Sequence, residues 1–169
     1  MNELTVNYFR KPRKKGEKKK PKTGALKKKA WKAFSEYIRT RDCLKTTGLP
    51  DYGRCITCSK IVPKTLLQAG HFIPGRHLAN LFSEKGTHAQ CYNCNINLKG
   101  NTLEYRRQII KLYGEGVDTE LETIAKQGKQ IKPFEYEEMI KDFLNRTKEL
   151  TKGGTMKAIS ASILEGEQK

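Results

Sequence analysis

The chain has 169 residues, with 34 lysines and arginines against 18 acids, and a formal charge of +16. No run of about 18 apolar residues occurs, which argues against a membrane span, and no apolar core follows the basic N-terminus as a secretory signal requires. The first 29 residues carry 12 of the basic residues and two of the acids, so a basic arm precedes one moderately basic domain, and polyanion binding is the natural inference.

Residues 1–25 are rich in Lys, Pro and Gly and poor in apolar side chains, and they read as a disordered arm. The domain is expected over residues 26–150. Leu26, Ala30, Trp31, Phe34 and Ile38 recur at helical spacing and predict an amphipathic helix to about Arg41. Trp31 at that spacing reads as core, with base stacking as the alternative. Residues 42–54 read as a loop, Ile61 to Leu67 as a short strand interrupted by Pro63, and Gln68 to Ile73 as a second strand carrying His71. A helix is expected to begin near Tyr92 to Asn95, break at Gly100-Asn101, and resume from Thr102 to Tyr113. Its apolar side would be Leu103, Ile109, Ile110, Leu112 and Tyr113. A short helix follows over Asp118–Gln127, with Leu121, Ile124 and Ala125 inward. Pro133 opens the last one, with Ile140, Phe143, Leu144 and Leu150 on one face. Gly153-Gly154 should then release a tail over residues 151–169.

Four of the five cysteines form two pairs, Cys55-x2-Cys58 and Cys91-x2-Cys94. Such knuckles present two thiolates each, and together they predict one closed, structural Zn²⁺ site in a reducing compartment. The fifth, Cys43, reads as a small buried hydrophobe. The 32 residues between the pairs hold all three histidines, His71, His77 and His88. Folding the knuckles onto one metal would bring the strand of His71 against the helix of Asn95, with His88 on the approach. Phosphodiester hydrolysis needs a base for water and a cation for the leaving oxygen, and a histidine beside a divalent ion supplies both. The same histidines would serve equally as packing groups of a plain zinc ribbon. Lys64, Arg76, Lys99, Arg106, Arg107 and Lys111 flank these segments and are candidate phosphate contacts.

The segment Cys55-x2-Cys58…Ala69-Gly70-His71-Phe72…His77-Leu78…His88-x-Gln90-Cys91-x2-Cys94-Asn95…Gly100-Asn101 resembles the HNH (His-Me finger) endonucleases with a zinc-ribbon elaboration. With Tyr105-Arg106, Gly114 and Tyr136 downstream, it more closely resembles the phage lambda NinG family, also called Rap, of recombination proteins. The resemblance implies an α+β fold, a small zinc-stapled ββα-metal core with flanking helices. It also implies His71 as general base and Asn95 as ligand of a catalytic Mg²⁺ or Mn²⁺. His88 follows as ligand or orienting group, and His77 as a further ligand. His71 as ligand with His88 as base is the competing assignment.

The implied activity is structure-selective endonuclease cleavage of branched DNA, such as a Holliday junction, in the host bacterial cytoplasm. Partners would be DNA, phage or host recombination proteins, and a second copy of the chain; the helix from Pro133 to Leu150 is a candidate interface, with packing inside the chain the preferred reading of its apolar face. Two positions depart from the pattern. Gly70 stands where many HNH enzymes have an acidic ligand. Gly86 stands where an asparagine orients the base, a role Asn80 is placed to assume. A non-catalytic DNA- or RNA-binding zinc ribbon is the alternative those glycines favour.

Overall fold

A computed structural model describes residues 22–75 and 78–166, with side chains as far as Gly153. The lysine-rich arm up to residue 21, and Arg76 and His77, lie outside the described residues. The fold is α+β, with four α-helices and two small two-stranded sheets among those residues. None of the described helices is long and apolar enough to cross a membrane.

Helix α1 spans Thr23–Thr47 and buries Leu26, Ala30, Phe34 and Ile38 of the predicted stripe, with Tyr37 added and Trp31 half-buried. It does not stop near Arg41. Asp42 and Cys43, expected in a loop, are buried on the same helix. Their tertiary contacts outweigh the weak local signal, and Gly48 ends the helix instead, in a left-handed conformation (φ 75) that returns its N–H to Leu44. Strands β1 (Tyr52–Arg54) and β2 (Ile61–Pro63) form an antiparallel hairpin whose turn carries Cys55 and Cys58. Its first strand lies directly on α1. A Cβ at Gly53 would stand 2.6 Å from Cys43 Sγ, so only glycine allows this approach.

A 3₁₀ turn (Lys64–Leu66) leads into β3 (Leu67–His71), which pairs antiparallel with β4 (Thr87–Cys91). A π-helix (Asn93–Asn97) follows, then α2 (Thr102–Tyr113). The expected break separates the two. Lys99, Gly100 and Asn101 all have positive φ (51, 90 and 47), three consecutive residues in a conformation that ordinary side chains resist. On α2 the buried residues are Tyr105 and Ile109, packed with Phe72, Val117 and Leu121. Leu103 and Leu112, expected inward, are 73% and 56% exposed, because they fall off the stripe of Tyr105 and Ile109, which faces α3 (Val117–Ala125).

The last helix, α4, spans Pro133–Gly166 and lies along α1, with Tyr136 against Leu26 and Ala30 and Phe143 against Phe34. It continues through Gly153 and Gly154, where a tail was expected, and Leu144 faces outward rather than into the core. Its apolar face is thus used within the chain. The loop before β4 is pinned to this helix pair by Glu84, which pairs with Arg146 at 2.7 Å and accepts from the Tyr37 hydroxyl at 2.8 Å.

Candidate functional site

The four paired cysteines meet. Sγ atoms of Cys55, Cys58, Cys91 and Cys94 all lie within 4.8 Å of one another. Cys58 and Cys91 are 3.8 Å apart, which is the edge expected of a tetrahedron with Zn–S bonds of about 2.3 Å. Burial opposes ionisation of Cys55, but the Thr57 hydroxyl and backbone N–H groups outweigh it and hold the thiol down at about 7. Burial and the neighbouring Cys55 push Cys58 up to about 12. Four sulfurs this close cannot all ionise without a cation among them, and the donor set fits zinc with no position left open. Cys43 takes no part. Burial pushes its thiol up to about 11, as suits a core group.

The hairpin of β3 and β4 sorts the histidines. Gly70 opposes His88 and His71 opposes Thr87. Directly opposed residues share a face and neighbours alternate, so His71 and His88 leave the hairpin on opposite sides. The structure brings His71 and Asn95 together and takes His88 away from them.

His71 and Asn95 line one pocket of about 340 Å³ with Trp31, Lys99, Gly100 and Thr102. Trp31 stacks on the His71 ring, centroids 5.1 Å apart and planes 20° from parallel. The sequence pattern places this tryptophan in the core; it is half-buried and serves as the platform that fixes the imidazole. His71 Nε2 lies 3.1 Å from the Leu81 carbonyl. A carbonyl only accepts, so Nε2 carries the proton and the neutral ring has its lone pair on Nδ1. The orienting role expected of Asn80 therefore falls to the backbone of its neighbour. Behind His71, the buried Tyr105 hydroxyl donates to the Gly70 carbonyl at 2.9 Å and fixes the strand.

Asn95 sits in the π-helix, a wide turn frequent at functional sites. There Cys94 faces the sulfurs, while Asn95 faces the hairpin and its Nδ2 donates to Gln68 Oε1 at 2.7 Å. Gln90 lies just behind the pocket, fully buried. Its Nε2 donates to the Gly100 carbonyl at 2.9 Å and to Thr57 Oγ1 at 3.3 Å, but its Oε1 has no hydrogen-bond partner. Gln90 pairs with Gln68 in the hairpin and so lies on the face of Gly70, beside the amide of Asn95, while His71 leaves on the other face.

His88 is enclosed. Its Nδ1 lies 3.2 Å from Asp42 Oδ2, and its Nε2 3.1 Å from the Tyr113 hydroxyl. Nδ1 is also 3.2 Å from Arg41 Nη2, but that guanidinium donates to the Thr87 carbonyl and to Asp42, so the ring proton goes to the carboxylate. Asp42 further accepts the Ala89 N–H at 2.7 Å. Burial opposes the charge on Asp42, yet His88 and Arg41 hold its carboxyl down at about 2. With both nitrogens engaged and 6% exposure, His88 is a strut between α1, β4 and α2. Asp42, Arg41 and Tyr113 carried no motif that singled them out.

The cations divide as well. Lys99 is exposed at the pocket, and Lys111 is exposed on α2. Arg106 is tied to Asp118 and Glu122 at 2.6 Å each, Arg107 to Glu104 at 3.0 Å, and Lys64 to Glu36 at 2.9 Å. Lys28 and Lys32 of α1, which composition alone did not distinguish, are exposed within one turn of Trp31.

The family model for the bacteriophage lambda NinG protein matches residues 7–153. Comparison with curated proteins and with solved structures gives no match.

Proposed function

Because the chain belongs to the bacteriophage lambda NinG family, a family of phage recombination-related proteins, we propose that it is a metal-dependent DNA endonuclease. It hydrolyses phosphodiester bonds in branched recombination intermediates such as Holliday junctions. One observation carries the reading: His71, held by Trp31 and the Leu81 carbonyl, shares a pocket with Asn95 and Lys99 at the end of a strand–strand–helix unit. That unit has the order of a ββα-metal nuclease site.

In this reading His71 Nδ1 takes the proton of the attacking water, and the Trp31 face and Leu81 carbonyl keep the ring in the tautomer that can do so. Asn95 would hold the divalent ion, which supplies charge stabilisation at the leaving oxygen. Lys99, with Lys28 and Lys32 of α1, receives the phosphodiester backbone without reading bases. The zinc keeps the π-helix against the hairpin and takes no part in the chemistry. Branch preference rests on the family, and a symmetric cut would use two copies of the chain.

The test is incubation of zinc-loaded protein with labelled four-way-junction, flap and linear duplex DNA, in Mg²⁺, in Mn²⁺ and in chelator selective for these ions. Cleavage that requires the divalent ion, favours the junction and disappears in folded His71→Ala and Asn95→Ala supports the reading. Junction-selective binding with no cleavage under either metal overturns it in favour of a binding module.

A further inference from the structure

Gly70 immediately precedes His71, and its missing side chain is occupied from outside. A Cβ built on Gly70 would stand 2.0 Å from Gln90 Oε1 and 3.1 Å from Asn95 Oδ1. Two amide oxygens, one from the facing strand and one from the π-helix, converge on the point that any larger residue would fill. Neither orientation is arbitrary. Gln90 is turned by donation from Nε2 to the Gly100 carbonyl, and Asn95 by donation from Nδ2 to Gln68. Each amide therefore spends its nitrogen on the scaffold and aims its oxygen at the same place.

Gln90 Oε1 is the more telling of the two, because it is buried with no hydrogen-bond partner. A buried acceptor left without a donor costs stability and calls for an explanation. A residue needed only to brace Gly100 would require the donor end alone. The segment it braces holds Lys99 at φ 51, a conformation an ordinary side chain resists, beside Gly100 and Asn101, which tolerate it. The orphaned acceptor thus lies against Gly70, the residue before the proposed base.

We propose that Gln90 is a ligand of the divalent cation, supplying from β4 the oxygen that Gly70 on β3 cannot. This rests on the nuclease reading for the presence of a cation at His71 and Asn95, but it adds a residue and a reason for Gly70. Gly70 is then a requirement of the site rather than a lost ligand. A set of neutral amide oxygens binds less tightly than one containing a carboxylate.

The experiment measures Mn²⁺ bound to the zinc-loaded full chain by electron paramagnetic resonance, together with thermal melting with and without Mn²⁺. Gln90→Met, nearly isosteric, should weaken Mn²⁺ binding by roughly tenfold or more with zinc content unchanged. Gln90→Glu should bind Mn²⁺ more tightly than wild type. Its melting temperature should fall without Mn²⁺, because a carboxylate faces the Gly100 carbonyl, and should rise with Mn²⁺ by more than wild type does. Where Gln90→Met fails to fold, the Mn²⁺-dependent melting of Gln90→Glu decides alone.

Wild-type Mn²⁺ affinity in Gln90→Met, no Mn²⁺ rescue of Gln90→Glu, or no Mn²⁺ bound by wild type overturns the proposal. Mn²⁺ bound through Gln90 with no DNA cut would retain this site and remove the nuclease reading. Metal-dependent cutting that Gln90→Met leaves unchanged would do the reverse.

Discussion

His71 and His88 sit one register apart on a single hairpin, and their surroundings share almost nothing. His71 is half-buried at a pocket, stacked on Trp31, with one nitrogen tied to a backbone carbonyl. His88 is sealed between Asp42 and Tyr113 with a guanidinium alongside. The alternation of a strand assigns the two roles. One residue of displacement turns a side chain from the pocket edge into a polar core, where it organises three elements. A histidine between two cysteine knuckles is therefore informative only with its face, and the face depends on pairing that spacing alone does not reveal.

The largest perturbation abolishes the comparison by removing both faces at once. The knuckle sulfurs anchor the end of β4 and the π-helix, and Cys55 Sγ, Thr57 Oγ1 and Gln90 link them to the pocket wall by contacts of 3.3 Å each. Structural zinc of this kind contributes on the order of 10 kcal/mol to folding. Stripping it with a strong chelator, or Cys94→Ser, should unfold the domain, seen as loss of helical circular dichroism and of the cooperative melt. A melt unchanged after complete zinc removal would show that the sulfurs do not hold the fold.

The next perturbation separates the faces. His71→Ala should lower cleavage by about 10²- to 10⁴-fold, the usual worth of a general base, with a melting temperature near wild type. His88→Ala should do the opposite. It leaves the buried Asp42 carboxylate with two of its three partners, Arg41 and the Ala89 N–H, which costs on the order of 3 kcal/mol, while the folded fraction keeps its turnover. Equal loss of turnover in the two variants, measured per folded molecule, would break the assignment.

Much of the His71 side was legible beforehand. The cysteine spacing identified four sulfurs that come together as a metal ion requires, and the Gly-His step and Cys-Asn pair identified two residues that do share a pocket. The break at Gly100-Asn101 was visible because glycine and asparagine tolerate the left-handed region. The His88 side was not legible. Arg41, Asp42 and Tyr113 lie 47, 46 and 25 residues away in sequence, and a network closed over such separations leaves no local pattern. Trp31 was read as core, and it does pack on the Phe34 cluster; its stacking on His71 was not legible, because helical spacing says which way a side chain points, not everything it meets there. Leu103, Leu112 and Leu144 were placed inside by residue type, but an apolar residue on a small domain has less core to enter than its type suggests.

Acid sharpens the contrast at lower cost. Asp42 has a folded pKa of about 2, set by burial that opposes the charge and by His88 and Arg41, which outweigh it. An unfolded aspartate titrates near 4. A depressed carboxylate contributes stability that is fully present above the unfolded value and lost as pH falls through the folded one, so the loss runs from about pH 4 down to pH 2. Its size is about 2 kcal/mol. Asp42→Asn should flatten that part of the stability-against-pH curve and leave the neutral-pH tautomer of His71 untouched. An unchanged acid slope would place the titration elsewhere, on Glu36 or Glu84, whose carboxyls are also held low by basic neighbours that outweigh their burial.

The smallest effect tests whether the division extends to the surface cations. Lys99 stands at the pocket, whereas Arg106 is held by Asp118 and Glu122 and lies over the Phe72 ring at 5.4 Å. A cation already neutralised by two carboxylates releases few counterions when DNA arrives. A cation facing open solvent contributes about one unit to the slope of log affinity against log salt. Lys99→Ala should therefore reduce that slope by about one for junction DNA, and Arg106→Ala should leave it unchanged while loosening the contact of α2 with α3. Equal slopes in the two variants would mean that Arg106 leaves its carboxylates to reach the phosphates, and that the pocket of His71 does not mark the DNA path.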